Sequence, residues 1–309
     1  MSKCLYCYKE VENGLDYHEK CSESFFGTKT APVIEYTLSQ MAELAKDVVE
    51  RSVSVPGVQA KLSMSLIKEA KSNNRLTVVG ALGGNYIFKP PNNDYAQMPE
   101  NEHLTMRIAE SFGINVVPSS LIKLKSGELS YITKRIDRTE NGEKIHMIDM
   151  FQITEAYDKY KSSMEKIGKA IELYASNTLL DKLLFFELSL FSFITGNNDM
   201  HLKNFSLIKS ASGWALSPAY DLLNVSILLP EDSEELALSL AGKKKKFKRN
   251  HFEVFAKEMN ITSKQIDGVF KRFLKNKVKA LDLIENSFLS DELKIKYIVT
   301  IEERYSRLF

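Results

Sequence analysis

The 309 residues are 44% hydrophobic and 27% charged, a length and composition that suit a folded chain of two packed lobes and exclude disorder. With 42 basic and 40 acidic side chains the formal net charge is only +2, which argues against general affinity for nucleic acid. The most apolar window spans about fifteen residues, short of the roughly 20 that cross a bilayer. The opening MSKCLYCYKE has no apolar signal core, so a cytoplasmic location without a membrane partner is expected.

All three cysteines lie within the first 21 residues. Cys4 and Cys7 are spaced C-x2-C, His18 and Cys21 are spaced H-x2-C, and each close pair can reach one tetrahedral ion from a tight turn. A structural zinc knuckle over residues 1–30 is expected, against the alternative of unrelated thiols beside a surface histidine. An odd number of cysteines suits a disulfide framework poorly.

From Pro32 to Val53 the pattern has helical spacing, and SVPGVQAKLSMSLI then alternates like the two arms of a strand-loop-strand. RLTVVG and NYIFKP read as short strands separated by the turn-forming Gly83-Gly84. ENEHLTMRIAESFG (100–113) is an amphipathic helix ended by Gly113, and VVPSSLIKLKSGELSYITKRI is a hairpin with Lys-Ser-Gly-Glu at its tip. Residues 31–138 therefore read as a small sheet-rich lobe and 139–309 as a helical lobe broken only by a second hairpin, FSLIKSASGWALS (205–217). Within the second lobe, DKLLFFELSLFSFIT (181–195) is apolar on almost every side and reads as a buried central helix. GKKKKFKR (242–249) is a basic patch that either faces phosphates or is a solvated loop.

A polar crowd, GNNDMHLKNFSL (196–207), follows the buried helix, and groups pressed against a core need ligands, metals or one another. A sheet-rich lobe followed by a helical lobe is the anatomy of a protein kinase, an α+β bilobal fold. In that layout Lys89 ends a strand and Glu102 begins the following helix, the lysine-glutamate pairing that holds phosphates in kinases, although two solvated side chains would give the same pattern. Asp199 and Asn204 stand in the spacing D-x4-N, where the aspartate accepts the proton of a substrate hydroxyl and the asparagine holds a metal ion. A hairpin follows and then Asp221 in SPAYDLLN, the place of a second, magnesium-binding aspartate. A typical eukaryotic kinase is excluded: there is no H-R-D, no D-F-G and no G-x-G-x-x-G loop.

The motifs SVPGVQAKLS, YIFKP, KRIDR (134–138), IDMFQI with Gln152, KYKSSMEK, GNNDMHLKNFSL and SPAYDLLN, in this order, resemble those of the HipA-type serine/threonine kinases, the toxin halves of bacterial toxin-antitoxin pairs. The resemblance implies ATP as donor, backbone groups of Lys134 and Ile136 on the adenine, Lys89 on the phosphates, Asp199 as base, and Asn204 and Asp221 as magnesium ligands. His201 and Lys203 would line the same loop, His201 equally as a structural hydrogen-bonder. Because longer members carry about a hundred more residues before the phosphate loop, the chain is similar to the short form. That form works with a small partner or antitoxin protein supplying the N-terminal module in trans, DNA being reached only through the antitoxin. The implied substrate is a serine or threonine on a translation factor such as an aminoacyl-tRNA synthetase.

Ser52 and Ser54 lie two apart, and in an extended segment they would point the same way. Paired serines in this loop resemble autophosphorylation sites of short family members; the alternative is that they hydrogen-bond nearby backbone. Two further readings of the whole chain are a small-molecule kinase of the aminoglycoside or choline type, which usually has His-Gly where Asn197-Asn198 stand, and a non-catalytic zinc-bearing adaptor.

Overall fold

The computed structural model describes residues 2–51, 61–67, 74–79, 83–92, 94–139 and 141–309. In chain order its elements are β1 (Ser2–Lys3), β2 (Glu10–Val11), α1 (Glu19–Phe26), α2 (Leu38–Arg51), β3 (Leu62–Ile67), β4 (Arg75–Val79), β5 (Tyr86–Lys89) and α3 (Met98–Ser111). Then follow β6 (Ser119–Lys123), β7 (Leu129–Lys134), β8 (Met147–Asp149), α4 (Met150–Ile153), α5 (Met164–Tyr174) and α6 (Thr178–Ile194). A single 3-10 turn (Leu202–Asn204), β9 (Ser206–Ser210), β10 (Gly213–Leu216), α7 (Arg249–Glu258), α8 (Ser263–Asn286) and α9 (Asp291–Leu308) complete the chain.

Two compact units share these elements. The first comprises Met1–His103, Val117–Lys144 and Asn286–Phe288; the second comprises Leu104–Val116, Ile145–Glu285 and Leu289–Phe309. The first is built on a five-stranded sheet of order β4-β3-β5-β7-β6, antiparallel throughout. The turn into β5 requires glycine at position 84: its φ is +78°, and a Cβ there would meet the Met64 carbonyl oxygen at 2.5 Å. Pro90, which has no N–H to give a ladder, follows β5 at Lys89. The knuckle packs into this unit rather than standing apart from it. Leu121 N–H donates to Leu5 O (3.3 Å), the Tyr17 hydroxyl donates to Leu121 O, and Phe25 and Phe26 of α1 lie edge-on or tilted against Tyr86 at 5.9 and 6.2 Å.

The second unit is organised by α6, in which every residue from Phe185 to Ile194 is buried. Polar side chains on such a helix satisfy themselves locally: Ser189, Ser192 and Thr195 donate to the carbonyls of Phe185, Leu188 and Phe191 at 2.8, 2.8 and 2.9 Å. Phe112, in the segment after α3, packs on Phe191 and on Phe273 of α8, with centroids 5.7 and 5.0 Å apart.

Three expectations are adjusted. The first long helix starts at Leu38 rather than Pro32, because Thr37 and Gln40 cap it reciprocally and the residues before it run extended, with Val33 bridging Arg75. The second hairpin gains a third strand, β8, paired with β9 in the register Ile148↔Leu207. Within GKKKKFKR, the fully buried ring of Phe247 anchors the segment while Lys243, Lys245, Lys246 and Lys248 are exposed.

Candidate functional site

In the first unit, β5 delivers Lys89 and the first turns of α3 deliver Glu102. Lys89 Nζ lies 2.6 Å from Glu102 Oε1, with the two side chains only 5% and 1% exposed. Taking both charges out of water is costly, and removing either partner of such a pair costs roughly 3–5 kcal/mol because the other is left buried and uncompensated. The ammonium also sits 5.3 Å from the ring centroid of Tyr131, its cross-strand neighbour on β7. Lys134 closes β7, but its N–H donates to Pro118 O at 3.0 Å, so that group is engaged within the protein. Ile136 lies half-buried in the turn that follows. The turn is braced by Asp137, which accepts from Arg135 (2.9 and 2.6 Å) and from Arg138 (2.7 Å). The Arg135 hydrogen bonds hold the Asp137 carboxyl below its ordinary range. Ser52 and Ser54 lie outside the described residues.

In the second unit, α6 ends at Gly196, whose φ of +66° is the left-handed turn that closes a helix. A Cβ there would come within 2.7 Å of Ser226 Oγ, 2.8 Å of Asn224 Oδ1 and 2.9 Å of Thr300 Cγ2, so only glycine fits. The Gly196 carbonyl in turn accepts from the backbone N–H groups of Val225 and Ser226, tying the end of the helix to the segment after Asp221. Asn198 Nδ2 donates to Asp232 Oδ2 (2.9 Å) and Glu234 O (3.1 Å), fixing the next step of the loop.

The two polar residues expected to act together do meet: Asn204 Nδ2 donates to Asp221 Oδ2 at 3.0 Å. Asn204 Oδ1 also accepts the His201 N–H at 3.2 Å, leaving its second lone pair as acceptor capacity. Asp221 adopts φ 60°, a left-handed conformation uncommon outside glycine and typical of positions whose geometry is imposed by their surroundings. Asp199 is half-buried, and its Oδ1 accepts from the Tyr160 hydroxyl at 2.8 Å. Tyr160 also meets the His201 ring edge-on at 5.1 Å. Burial, followed by the positive charge of Lys159, pushes the His201 imidazole down to about 4. The neutral ring accepts the Lys203 N–H on Nδ1 at 3.3 Å, so His201 shapes the loop. Lys203 is exposed, with its ammonium 4.8 Å from the centroid of the Phe151 ring.

Gln152 serves its own helix. Its N–H donates to Asp149 Oδ1 at 2.8 Å and its Oε1 accepts the Asp149 N–H at 3.3 Å, a capping box at the start of α4. Asp149 was not foreseen; burial raises its carboxyl above the usual value, against the pull of Lys203. Tyr160 was not foreseen either. It lies in the quoted KYKSSMEK stretch, 39 residues from Asp199, and no local spacing links the two.

The carboxylate of Asp221 and the amide oxygen of Asn204 are hard oxygen donors, the chemistry that suits magnesium. Around the knuckle, the ligand atoms of Cys4, Cys7, His18 and Cys21 all lie within 4.8 Å of one another, and none of the cysteines is in a disulfide. The closeness of Cys4 and Cys7 holds the Cys4 thiol below its ordinary range and pushes Cys7 up.

The family described as the HipA-like C-terminal domain matches residues 53–281. The chain belongs to that family. A Sinorhizobium fredii protein named "Putative kinase Y4dM" is 35% identical over 208 residues, 62% of this chain and 49% of that one. The serine/threonine-protein kinase toxin HipA of Shewanella oneidensis is 26% identical over 209 residues, 61% of this chain and 46% of that one. The chain therefore spans about half the length of these curated relatives. Among solved structures, a chain of the Shewanella oneidensis complex of HipA, HipB and operator DNA matches with a TM-score of 0.66 and 19% identity, over 86% of this chain and 70% of that one. That likeness shows the α+β kinase-like fold. Among the described residues no helix is long and apolar enough to cross a membrane.

Proposed function

We propose that this HipA-family chain is an ATP-dependent serine/threonine protein kinase and the toxin of a bacterial toxin-antitoxin pair. The observation that carries the reading is the 3.0 Å contact between Asn204 and Asp221, which brings the D-x4-N loop and the aspartate after the hairpin to one point, with Asp199 on the same loop. Magnesium-ATP, when bound, supplies the γ-phosphoryl group and the cation that neutralises its charge. Asp221 and Asn204 are the residues that would hold the metal, and Lys89, kept in place by Glu102, would hold phosphate oxygens. Asp199 accepts the proton of the acceptor hydroxyl, while the hydrogen bond from Tyr160 to its Oδ1 fixes the plane of the carboxylate. His201, neutral and bonded to the Lys203 N–H, keeps the loop in shape without sharing in proton transfer.

The finer parts of the reading rest on family likeness. Residues 1–30, 31–138 and 139–309 would act as knuckle, nucleotide-binding lobe and catalytic lobe. Ile136 and the carbonyl side of Lys134 would face the adenine, Gln152 would lie near it, and Ser52 and Ser54 would be autophosphorylated. The substrate would be a translation factor such as an aminoacyl-tRNA synthetase. A relative seen with HipB and operator DNA supports a small antitoxin partner, with DNA reached through it. Incubation of the protein with labelled ATP and a cell extract tests the reading: one labelled band, lost in Asp199→Asn while ATP binding persists, supports it. Equal labelling by Asp199→Asn and Asp221→Asn would refute the assignment of the loop.

A further inference from the structure

The knuckle has no part in the phosphoryl transfer described above, yet the ligand atoms of its two close pairs all lie within 4.8 Å of one another. We propose that Cys4, Cys7, His18 and Cys21 bind one zinc ion, and that the closed knuckle holds Tyr8 against His103 and so steadies the start of α3.

The two nitrogen-sulfur distances fit the metal. Zinc-sulfur bonds of about 2.3 Å and zinc-nitrogen bonds of about 2.0–2.1 Å at tetrahedral angles put sulfur and nitrogen roughly 3.5–3.6 Å apart and two sulfurs roughly 3.8 Å apart. His18 Nδ1 lies 3.5 Å from Cys7 Sγ and 3.7 Å from Cys21 Sγ. The other ring nitrogen supplies an independent sign. His18 Nε2 is 2.8 Å from Glu10 O, and an N–H donated there leaves Nδ1 as the lone-pair nitrogen facing the sulfurs. This is the arrangement in which a backbone carbonyl orients a metal-ligating histidine. His18 also stands at the N-cap of α1 without making a side-chain cap bond, because its ring is turned to the thiols instead. The backbone is shaped to match: Tyr8 N–H donates to Cys4 O at 3.0 Å, closing the turn that carries both Cys4 and Cys7. Four protein ligands leave no open coordination position, so the ion is structural.

The consequence for α3 runs through one residue. Tyr8 directly follows Cys7 and is held at φ 67°, a conformation that costs a non-glycine residue energy unless its neighbours enforce it. Its hydroxyl lies 2.9 Å from His103 Nδ1, and its ring meets His103 and Phe288 edge-on at 5.3 and 5.5 Å. His103 is fully buried and adjoins Glu102, the partner of Lys89. The phenylalanines of α1 anchor the rest of the knuckle to the sheet without help from a metal, so loss of zinc acts locally.

Metal analysis of the full chain, purified under reducing conditions without chelator, tests the site. About one zinc per chain is expected in the native protein and close to none in Cys21→Ser, with cobalt substitution giving thiolate-to-metal absorption. A ratio near zero in the native chain, an unchanged ratio in Cys21→Ser, or a chain whose mass shows a cysteine disulfide overturns the metal site. Amide hydrogen exchange tests the coupling. Stripping the zinc should speed exchange in the knuckle and the first turns of α3 and leave α6 unchanged, and Tyr8→Phe should speed α3 while retaining the metal. Exchange in α3 that responds to neither change overturns the link through Tyr8. None of these readouts depends on the chain being a kinase.

Discussion

Two partly buried polar clusters in this protein are held by different forces. In the knuckle, four soft or borderline ligands lie within 18 residues of sequence and face one another, with His18 oriented by Glu10 O. In the loop from Gly196 to Asp221, several polar groups are held by other protein groups: Asn198 by Asp232, Asp199 by Tyr160, and Asn204 by Asp221 and His201. The first cluster is short-range and has the donor set of the proposed ion site. The second is long-range and needs a folded core around it. The loop should therefore fail when its packing or its remote partners are altered, and the knuckle when its ligands are.

The comparison can be broken most severely at Asp199. Asp199→Asn removes the proposed base and should lower phosphoryl transfer by about 10²–10⁴-fold, the usual worth of a positioned general base, with metal content at the knuckle unchanged. Rates from a labelled-ATP assay together with elemental analysis would check both halves. Next comes Gly196→Ala, which forces a Cβ into Ser226, Asn224 and Thr300 in a left-handed backbone position. Strain and overpacking should together destabilise the second unit by about 2–4 kcal/mol. Urea unfolding would show this as a lower midpoint, and a midpoint equal to the native one would remove the packing argument.

A smaller effect is expected from pH. His201 is pushed down to about 4 in the folded state from an ordinary value of 6.5, chiefly by burial. The unfolded chain therefore binds the extra proton first, and this contribution to stability is present above about pH 6.5 and lost as pH falls toward 4, on the order of 1–3 kcal/mol. Unfolding curves across that window should be steeper in pH for the native chain than for His201→Gln. Equal slopes would mean that other groups set the acid response. The mildest change is Tyr160→Phe. Tyr160 is 39% exposed, so stability should hardly move, while losing one hydrogen bond to Asp199 should slow turnover by roughly tenfold. Unaltered turnover with unaltered stability would make Tyr160 a bystander.

What could be read from the sequence divides along the same line. Cys4, Cys7, His18 and Cys21 announce themselves by spacing, because a turn of two intervening residues brings each pair together whatever the rest of the chain does. Asp199 and Asn204 are legible for a similar reason, being separated by a single 3-10 turn. Lys89 and Glu102 were legible as types on a strand and a helix, but their burial as a direct ion pair follows from how α3 packs and had no local sign. Tyr160 and the strand β8 were missed because their partners lie dozens of residues away and pair through tertiary contacts rather than period. The start of the first long helix was misjudged because apolar spacing ran on past the Thr37 cap. Gln152 was legible as part of the IDMFQI motif, and the structure adds that its side chain caps the start of the helix on which it sits.

The division of the chain into interleaved segments has a consequence for synthesis. Domains generally fold as units while the chain emerges, N-terminal parts first. The first unit, however, includes Asn286–Phe288, where Lys3 Nζ donates to Asn286 O at 3.1 Å and Tyr8 packs on Phe288. Most of its sheet can pair once residue 134 has left the ribosome, yet the side of the knuckle that touches these three residues stays uncovered for roughly 150 residues more. At about 5–20 residues per second that interval lasts on the order of ten to thirty seconds. During it the young chain displays Tyr8 to whatever it meets, so the arrival of the late segment decides when this side of the knuckle is covered.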